Sequence, residues 1–262
     1  VEAIAALKAE GIKALPTRIS PVGLSVHGRP PLATLQCFKD GLIEVQDEGS
    51  QLVALLVDAK PGQRVVDFCA GAGGKTLAIA AQMKNKGKIF ACDVLQGRVD
   101  RAAVRFNRAG IFNVERKGLS SERDPWVKRH AGDFDRVLVD APCTGTGTWR
   151  RNPDAKWKLS PQDLEELTAL QRRILDSACR LVKPGGRLIY ATCSLLAEEN
   201  EAQIAHFLSH HEEFKLLPLP YVWFDAIGGT PPEEGAMLSL TPARHGTDGF
   251  FAAILERQKA AA

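Results

Sequence analysis

The chain has 262 residues, of which 45% are hydrophobic and 25% are charged. These proportions are ordinary for a globular protein, and a chain of this length can bury a core without disulfide bonds or metal ions. The formal net charge is only +3, so charge alone neither requires nor excludes a nucleic-acid partner. The sequence has no run of about 18 apolar residues and no signal-peptide core, and we therefore expect a cytoplasmic monomer without membrane contact.

Residues 1–60 differ in pattern from the rest and are predicted to form a small N-terminal α/β lobe. Within it, residues 2–9 are typical of a short helix and residues 41–45 of a strand. Residues 49–58 are typical of an amphipathic helix, which would link the lobe to a main domain at residues 61–262.

Strand-length apolar runs alternate with helix-length segments throughout the main domain. The predicted strands are 64–68, 88–92, 136–139, 186–191 and 249–255, and the predicted helices are 75–83, 96–109, 161–181 and 197–208. Strands that alternate with helices predict a mostly parallel sheet with helices on both faces. Ligands bind such sheets beyond the carboxyl ends of the strands, so polar residues at those positions are candidate site residues.

The first candidate motif is a glycine-rich turn between a strand and a helix, DFCAGAGGKT at 67–76. Glycines let the backbone approach a ligand closely, and the helix N-terminus presents free N–H groups. A P-loop would need glycine in place of Cys69, and the dinucleotide fingerprint would need glycine in place of Thr76. Asp93 ends the next strand, where a carboxylate can accept hydrogen bonds from both ribose hydroxyls of a nucleoside. The alternative is a structural turn with Asp93 as a helix cap.

Two further motifs place cysteines at the ends of strands. The sequence DAPCTGTG at 140–147 contains Cys143, and ATCS at 191–194 contains Cys193. A lone cysteine is usually a small buried apolar residue. Two thiols at one sheet edge instead favour nucleophilic chemistry, because helix N-termini and Lys75 nearby would lower the pKa of a thiol.

The six cysteines are Cys37, Cys69, Cys92, Cys143, Cys179 and Cys193. None forms a C-x-x-C pair, so the sequence predicts no zinc or other metal site. Several lie in apolar or glycine-rich segments typical of a buried intracellular core, which favours reduced thiols over disulfide bonds.

Together these motifs resemble the Sun family of RNA cytosine-5 methyltransferases, which includes bacterial small-subunit rRNA enzymes and eukaryotic Nop2-type proteins. The similarity runs over residues 41–255 and also includes QDEGSQ at 46–51 and TDGFF at 247–251. It implies a Rossmann-like class I methyltransferase fold with a mostly parallel seven-stranded sheet. It also implies transfer of a methyl group from S-adenosylmethionine to carbon 5 of a cytosine in RNA. Small-subunit rRNA is the first choice of substrate, and tRNA is the alternative.

The resemblance implies roles for individual residues. Cys193 would attack carbon 6 of the cytosine, and Cys143 would help the product leave. Asp140 would lie between the cofactor and the base, and Lys75 would lie near the nucleophile. The residues that would hold S-adenosylmethionine are Cys69, Ala70, Gly71, Ala72, Gly73, Gly74, Lys75, Asp93 at the ribose, Arg98 and Asp140.

The sequence departs from the family pattern at two places. The proline that usually precedes the Gly-Gly pair is replaced by Gly73, which we interpret as a glycine in a proline-like backbone conformation. The aspartate that often follows the third strand and reaches the adenine is absent from residues 115–121. We expect backbone groups near Gly118 or the hydroxyl of Ser120 to take its place.

The segment TWRRNPDAKWK at 148–158 interleaves four cations with two tryptophans. Cations suit phosphates and aromatic rings suit stacked bases, so the predicted RNA-binding residues are Arg150, Arg151, Lys156 and Lys158. The alternative is a solvated loop with packed tryptophans. The chain starts at Val1 rather than Met, which leaves room for an RNA-binding domain ahead of it.

Two other functions fit parts of the pattern. A DNA-type cytosine-5 methylase would use the Pro-Cys thiol, Cys143, as nucleophile, whereas the Thr-Cys at Cys193 favours the RNA type. A catalytically inactive, RNA-binding ribosome assembly factor would keep the fold, but both thiols, the glycine-rich loop and Asp93 are retained.

Overall fold

The N-terminal part of the chain forms a small α/β layer in the computed structural model, which describes residues 2–259. Its elements are α1 (Glu2–Ala9), β1 (Ala14–Pro16), β2 (Leu24–Val26), α2 (Gln36–Lys39) and α3 (Glu48–Leu56). β1 and β2 pair antiparallel in a two-stranded sheet that is separate from the main sheet. Val1 and residues 260–262, which the predicted domains include, lie outside the described range.

The prediction of a strand at residues 41–45 is wrong. Within the described chain, this segment is a turn followed by backbone without regular secondary structure, and it joins neither sheet. Gly41 has a φ of 74°, and a Cβ added there would lie 2.2 Å from the carbonyl oxygen of Arg108. Glu44 pairs with Arg108 and, at 3.4 Å, with Arg105. Close backbone approach and ion pairs therefore hold this segment in place of the hydrogen bonds of a strand ladder.

Within residues 2–259, eight strands form the main sheet. They are β3 (Arg64–Asp67), β4 (Lys88–Asp93), β5 (Val114–Gly118), β6 (Phe134–Asp140), β7 (Val182–Thr192), β8 (Phe214–Leu216), β9 (Leu238–Leu240) and β10 (Phe250–Arg257). Their order is β5-β4-β3-β6-β7-β10-β8, and β9 pairs with the start of β10. The strands from β5 to β7 are mutually parallel, whereas β10 is antiparallel to β7 and β8. The predicted mostly parallel seven-stranded sheet is confirmed, and β9 adds a short eighth strand.

Helices cover both faces of this sheet, as predicted. They are α4 (Gly74–Gln82), α5 (Gln96–Arg108), α6 (Pro125–Arg129), α7 (Ala155–Lys158), α8 (Pro161–Ala178), α9 (Glu201–His210), α10 (Leu219–Ala226) and α11 (Pro242–His245). Successive strand residues point to opposite faces, so Val65 and Val66 belong to different apolar clusters. One cluster includes α8 and α9, and the other includes α3, α4 and α10. Within residues 2–259, no helix combines the length and apolar character needed to cross a bilayer.

The strand order brings the polar motifs together at one edge of the sheet. The chain winds outward from β3 through β4 to β5, and then returns to β6 on the other side of β3. Such a reversal opens a crevice beyond the carboxyl ends of the strands. The residues that end β3, β4, β6 and β7 at this edge are Asp67, Asp93, Asp140 and Thr192.

Candidate functional site

A cavity of about 530 Å³ lies over the carboxyl ends of β3, β4 and β6. This volume is in the range of sites that hold a small molecule or a cofactor. All but one of the predicted cofactor-binding residues line it, namely Cys69, Ala70, Gly71, Ala72, Gly74, Lys75, Asp93, Arg98 and Asp140. The structure therefore brings these residues together around one space, and Gly73 alone among them lies outside the lining.

Gly73 supports the glycine-rich loop from behind. Its φ is 79°, which proline cannot adopt, so the interpretation of a proline-like conformation is wrong. A Cβ added to Gly73 would lie 2.7 Å from the ring of Phe106, so the loop packs closely on α5 only because this side chain is missing. Gly71 is also left-handed, with a φ of 54°, but no atom lies within 4 Å of where its Cβ would be. A ligand in the cavity can therefore approach the backbone at Gly71.

Asp93 fixes the loop and also lines the cavity. Its Oδ2 accepts a hydrogen bond from the Gly71 N–H at 2.9 Å, and its Oδ1 accepts one from the Leu95 N–H at 2.8 Å. The residue is only 7% exposed. Each carboxylate oxygen has a second lone pair, so Asp93 can accept further hydrogen bonds from ribose hydroxyls without releasing the loop.

Asp67 is a site residue that the sequence reasoning missed. It is buried at the end of β3 and lines the cavity, and its Oδ2 accepts a hydrogen bond from the Thr76 hydroxyl at 2.7 Å. Its Oδ1 is buried without a hydrogen-bond partner. Burial raises the pKa of Asp67 to about 7, although the bond from Thr76 opposes the change. A carboxylate as the last residue of a buried strand was the signal available in the sequence.

The Ser120 hydroxyl, one of two expected substitutes for the adenine-binding aspartate, is engaged elsewhere, whereas a role for backbone groups near Gly118 stays a prediction. The hydroxyl of Ser120 donates to Asp124 Oδ2 at 2.9 Å, and Asp124 also caps α6 by accepting the Trp126 N–H at 2.8 Å. Ser120 is thus engaged in a helix cap away from the cavity. Leu119 and Glu122 are the residues of this segment that line the cavity.

Lys75 and Asp140 form an ion pair at the inner end of the cavity. The Lys75 Nζ lies 2.6 Å from Asp140 Oδ2, and the Lys75 side chain is 10% exposed. Burial opposes the charge of Lys75, but Asp140 outweighs it and raises the pKa of the ammonium group. The pair therefore places a fixed positive and a fixed negative charge side by side between β3 and β6.

The two cysteines of the second and third motifs meet at the same edge. The sulfur atoms of Cys143 and Cys193 are 3.5 Å apart, although the residues are far apart in sequence. Both follow adjacent parallel strands, β6 and β7, whose carboxyl ends lie side by side. The six cysteines of the chain are free thiols, and no group of three or more potential metal ligands occurs within residues 2–259.

The surroundings of the two thiols differ in charge. A hydrogen bond from Cys143 lowers the pKa of Cys193, with burial and Asp140 opposing the change and Lys75 assisting it. The same hydrogen bond raises the pKa of Cys143, and burial and the charge of Glu199 raise it further. The hydrogen bond donated by the Cys143 thiol therefore favours a thiolate at Cys193, and the charge of Glu199 disfavours one at Cys143.

The arginines predicted to bind RNA make structural contacts. Nε of Arg150 and Nε of Arg151 each lie 2.5 Å from a carboxylate oxygen of Asp248, which is fully buried. Arg150 also pairs with Asp47 at 3.0 Å. Because a buried carboxylate needs such partners, these arginines hold the loop to the sheet, a role that the sequence reasoning missed.

The predicted RNA-binding lysines lie on the exposed surface. Lys156 and Lys158 belong to the short helix α7 with Trp157, which is 80% exposed. The Lys156 Nζ lies 4.5 Å from the centre of the Trp157 ring. This part of the predicted RNA surface is therefore free to contact a partner, and its role stays a prediction.

Comparison with known proteins places the chain in a family. The model of the 16S rRNA methyltransferase RsmB/F family matches residues 54–256. The chain belongs to this family. Among its RsmB/F relatives, ribosomal RNA small subunit methyltransferase B from Pasteurella multocida is 36% identical over 241 residues, or 91% of this chain and 52% of that protein. The chain thus spans about half the length of the curated relatives that it matches.

Two solved structures from Pyrococcus horikoshii are similar to this RsmB/F chain. A methyltransferase homologue shares 31% identity with a TM-score of 0.81, over 98% of this chain and 82% of that chain. NSun6, solved with SFG, shares 28% identity with a TM-score of 0.76, over 90% of this chain and 60% of that chain. The predicted resemblance to the Sun family and the class I methyltransferase fold are confirmed, and S-adenosylmethionine is the cofactor of such enzymes.

The cavity of this RsmB/F member fits that cofactor. The unpaired oxygen of Asp67 suits a cationic ligand, since a buried carboxylate without a partner is costly. Asp93 offers acceptors to ribose hydroxyls, and Gly71 allows close approach to the backbone. The residues that line the cavity therefore supply the chemistry that S-adenosylmethionine needs.

Proposed function

We propose that the chain transfers a methyl group from S-adenosylmethionine to carbon 5 of a cytosine in RNA, and that the RNA is small-subunit rRNA. Membership in the RsmB/F family and the names of the relatives support the substrate. The observation that carries the reaction is the pair of thiols, 3.5 Å apart, next to the Lys75–Asp140 ion pair. Neither thiol lines the cavity proposed to hold the cofactor, which supports a role for both in chemistry on the base.

The reaction needs a nucleophile from the protein, because carbon 5 of cytosine is by itself too poor a nucleophile to take the methyl group. The Cys193 thiolate adds to carbon 6, which breaks the aromaticity of the ring and makes carbon 5 enamine-like. Carbon 5 then takes the methyl group, and the cofactor is left as the neutral thioether. A base removes the proton from carbon 5, the bond between sulfur and carbon 6 breaks, and the Cys193 thiolate is restored. Asp140 would stabilise the adduct at ring nitrogen 3 by a proton or a hydrogen bond.

The two thiols act in different steps of this scheme. Cys193 is the nucleophile in this scheme, because the hydrogen bond from Cys143 lowers its pKa and so favours the thiolate. Once Cys193 is bonded to carbon 6, it is no longer an anionic acceptor for Cys143. The largest cause of the raised pKa of Cys143 then disappears, and Cys143 becomes available to assist removal of the proton and release of the product.

Other residues of the chain would bind and orient the cofactor and the RNA. S-adenosylmethionine supplies the methyl group, while the glycine-rich loop, Asp93 and Arg98 would hold it against the sheet edge. The target base must leave any stack to reach such a crevice. Lys156, Lys158 and Trp157 would contact the RNA outside the crevice by charge and stacking.

A denaturing gel with RNA that contains the target cytosine tests this proposal. Cys193→Ala should lose turnover and form no covalent complex with the RNA, because the step that activates carbon 5 is gone. Cys143→Ala should also fail to turn over, but it should trap a covalent protein–RNA complex. Both variants should still bind S-adenosylmethionine, which serves as the control for folding.

The other outcomes identify the alternatives. A covalent band in Cys193→Ala alone would assign the nucleophile to Cys143, as in DNA-type enzymes, and overturn the mechanism. Wild-type protein that binds rRNA but transfers no methyl group would indicate an assembly factor. Bisulfite sequencing of total RNA, with and without the gene, would locate the cytosine and distinguish rRNA from tRNA.

A further inference from the structure

Two consecutive polar residues are buried behind the thiols. Glu199 is fully buried and Asn200 is 5% exposed, at the junction between a 3₁₀ turn (Ala197–Glu199) and α9. Burying a carboxylate and an amide is costly unless their atoms are hydrogen-bonded. Their partners therefore show what these two side chains hold.

Glu199 holds the residue after Cys143 directly and the residue before it through Gln171. Its carboxylate accepts hydrogen bonds from the Thr144 N–H at 2.9 Å and from the Thr144 hydroxyl. It also accepts one from Gln171 Nε2 at 2.9 Å, and the same amide donates to the Pro142 carbonyl at 3.0 Å. Pro142 and Thr144 are the chain neighbours of Cys143, so Glu199 and Gln171 fix the backbone that carries this thiol.

Asn200 holds the residues on both sides of Cys193. Its Oδ1 accepts a hydrogen bond from the Thr192 hydroxyl at 2.6 Å. Its Nδ2 donates to the Ser194 carbonyl at 3.0 Å. Thr192 and Ser194 are the chain neighbours of Cys193, so one side chain spans this thiol as Glu199 and Gln171 together span the other.

The two side chains have different partners, and their two sets of contacts meet where the Thr144 and Ser194 hydroxyl oxygens lie 3.3 Å apart. The hydrogen bonds of the Glu199 carboxylate run to α8 and to the loop after β6, whereas those of the Asn200 amide run to the end of β7 and the loop that follows it. Because the two residues are adjacent in the chain, one peptide unit links the supports of both thiols. This link helps to fix the separation of the two sulfur atoms, together with the hydrogen bond from the Gly147 N–H to the Cys193 carbonyl at 2.9 Å.

We propose that Glu199 and Asn200 are positioning residues that each serve one thiol, so that Asn200 governs formation of the covalent adduct and Glu199 governs its release. The inference rests on the proposed function, because it assigns the two steps to Cys193 and Cys143. A displacement of about 1 Å at a reacting group can lower a rate by about 100-fold, so the loss of either support should be visible in its own step.

Single-turnover kinetics on a denaturing gel separates the two steps. Asn200→Ala should slow formation of the covalent complex by roughly 10- to 100-fold. Its release should stay at the wild-type rate, so the complex should not accumulate. Glu199→Gln should form the complex at close to the wild-type rate but release it roughly 10- to 100-fold more slowly, so the complex accumulates. Gln203→Met is the matched control. Gln203 is fully buried on α9 and donates to the Glu198 carbonyl at 2.7 Å rather than to either thiol loop, so both rates should stay near wild type.

Isosteric variants guard against misfolding. Thr192→Val removes the hydroxyl that Asn200 accepts, and Thr144→Val removes the one that Glu199 accepts. Each should reproduce its phenotype in weaker form, so the proposal can still be tested if Asn200→Ala or Glu199→Gln unfolds the chain. Equal loss of both steps in all four variants would overturn the proposal and leave only a structural role. Failure of Cys143→Ala to trap the complex would instead refute the proposed function itself.

Discussion

The buried carboxylate of Asp67 makes stability depend on pH in an unusual direction. Its pKa is about 7 in the folded chain, against an ordinary value of 3.8. An acid whose pKa is higher when folded binds more protons in the folded state, at every pH between the two values. Stability therefore falls as pH rises through this window, and the loss is complete above about pH 7.

Asp67→Asn should remove this dependence. The asparagine oxygen can still accept the Thr76 hydroxyl, and the side chain stays neutral at every pH. Each pKa unit corresponds to about 1.4 kcal/mol. Relative to wild type, the free energy of unfolding of the variant should therefore rise by about 3 kcal/mol between about pH 5 and about pH 8.

Urea unfolding of both proteins across this pH range, without cofactor, measures the effect. Parallel curves for wild type and variant would refute the reasoning, because Asp67 would then titrate like an exposed carboxyl group. A second measurement uses calorimetry with S-adenosylmethionine, whose sulfonium cation favours an ionised Asp67. The variant should bind the cofactor more weakly at about pH 8, where the wild-type carboxyl group is ionised.

Two further predictions concern binding. Asp93→Ala should weaken S-adenosylmethionine binding by about 1–3 kcal/mol, the cost of leaving polar partners unpaired, and equal affinities by calorimetry would remove the ribose assignment. Charge reversal at Lys156 and Lys158 should weaken RNA binding and lower its slope against log salt by about 1 to 2, with cofactor binding unchanged. The same change at Lys84 and Lys86, which are exposed near the opposite edge of the sheet, is the control, and an equal effect there would place the RNA groove elsewhere.

The sheet and its loops could be predicted because the spacing of apolar residues reveals the strands and helices, and the ends of the strands show where the loops lie. Apolar runs of strand length alternate with helical segments, and this pattern determines where the carboxyl ends of the strands lie. Asp93, Cys143 and Cys193 follow such runs, so their meeting at one edge is a consequence of parallel pairing. No side-chain detail was needed for that step.

Properties that depend on partners distant in sequence could not be predicted. The segment 41–45 has the composition of a strand, but Glu44 finds arginines on α5 that no local pattern reveals. The sequence likewise does not show that Gly73 faces the ring of Phe106, and so requires a positive φ. The sequence predicted that Arg150 contacts phosphate. In the structure it pairs with the carboxylate of Asp248, which is too distant in sequence for a local pattern to reveal.

The contacts of Asp248 join parts of the chain that are far apart in sequence. Its carboxylate pairs with Arg150 in the loop that follows Cys143, and its N–H donates to Asp47, the N-cap residue of α3. The paired residues are separated by 98 and 201 positions. Because contacts of such long range require the closure of large loops, we expect this loop to be anchored late in folding, after the local elements of the sheet have formed.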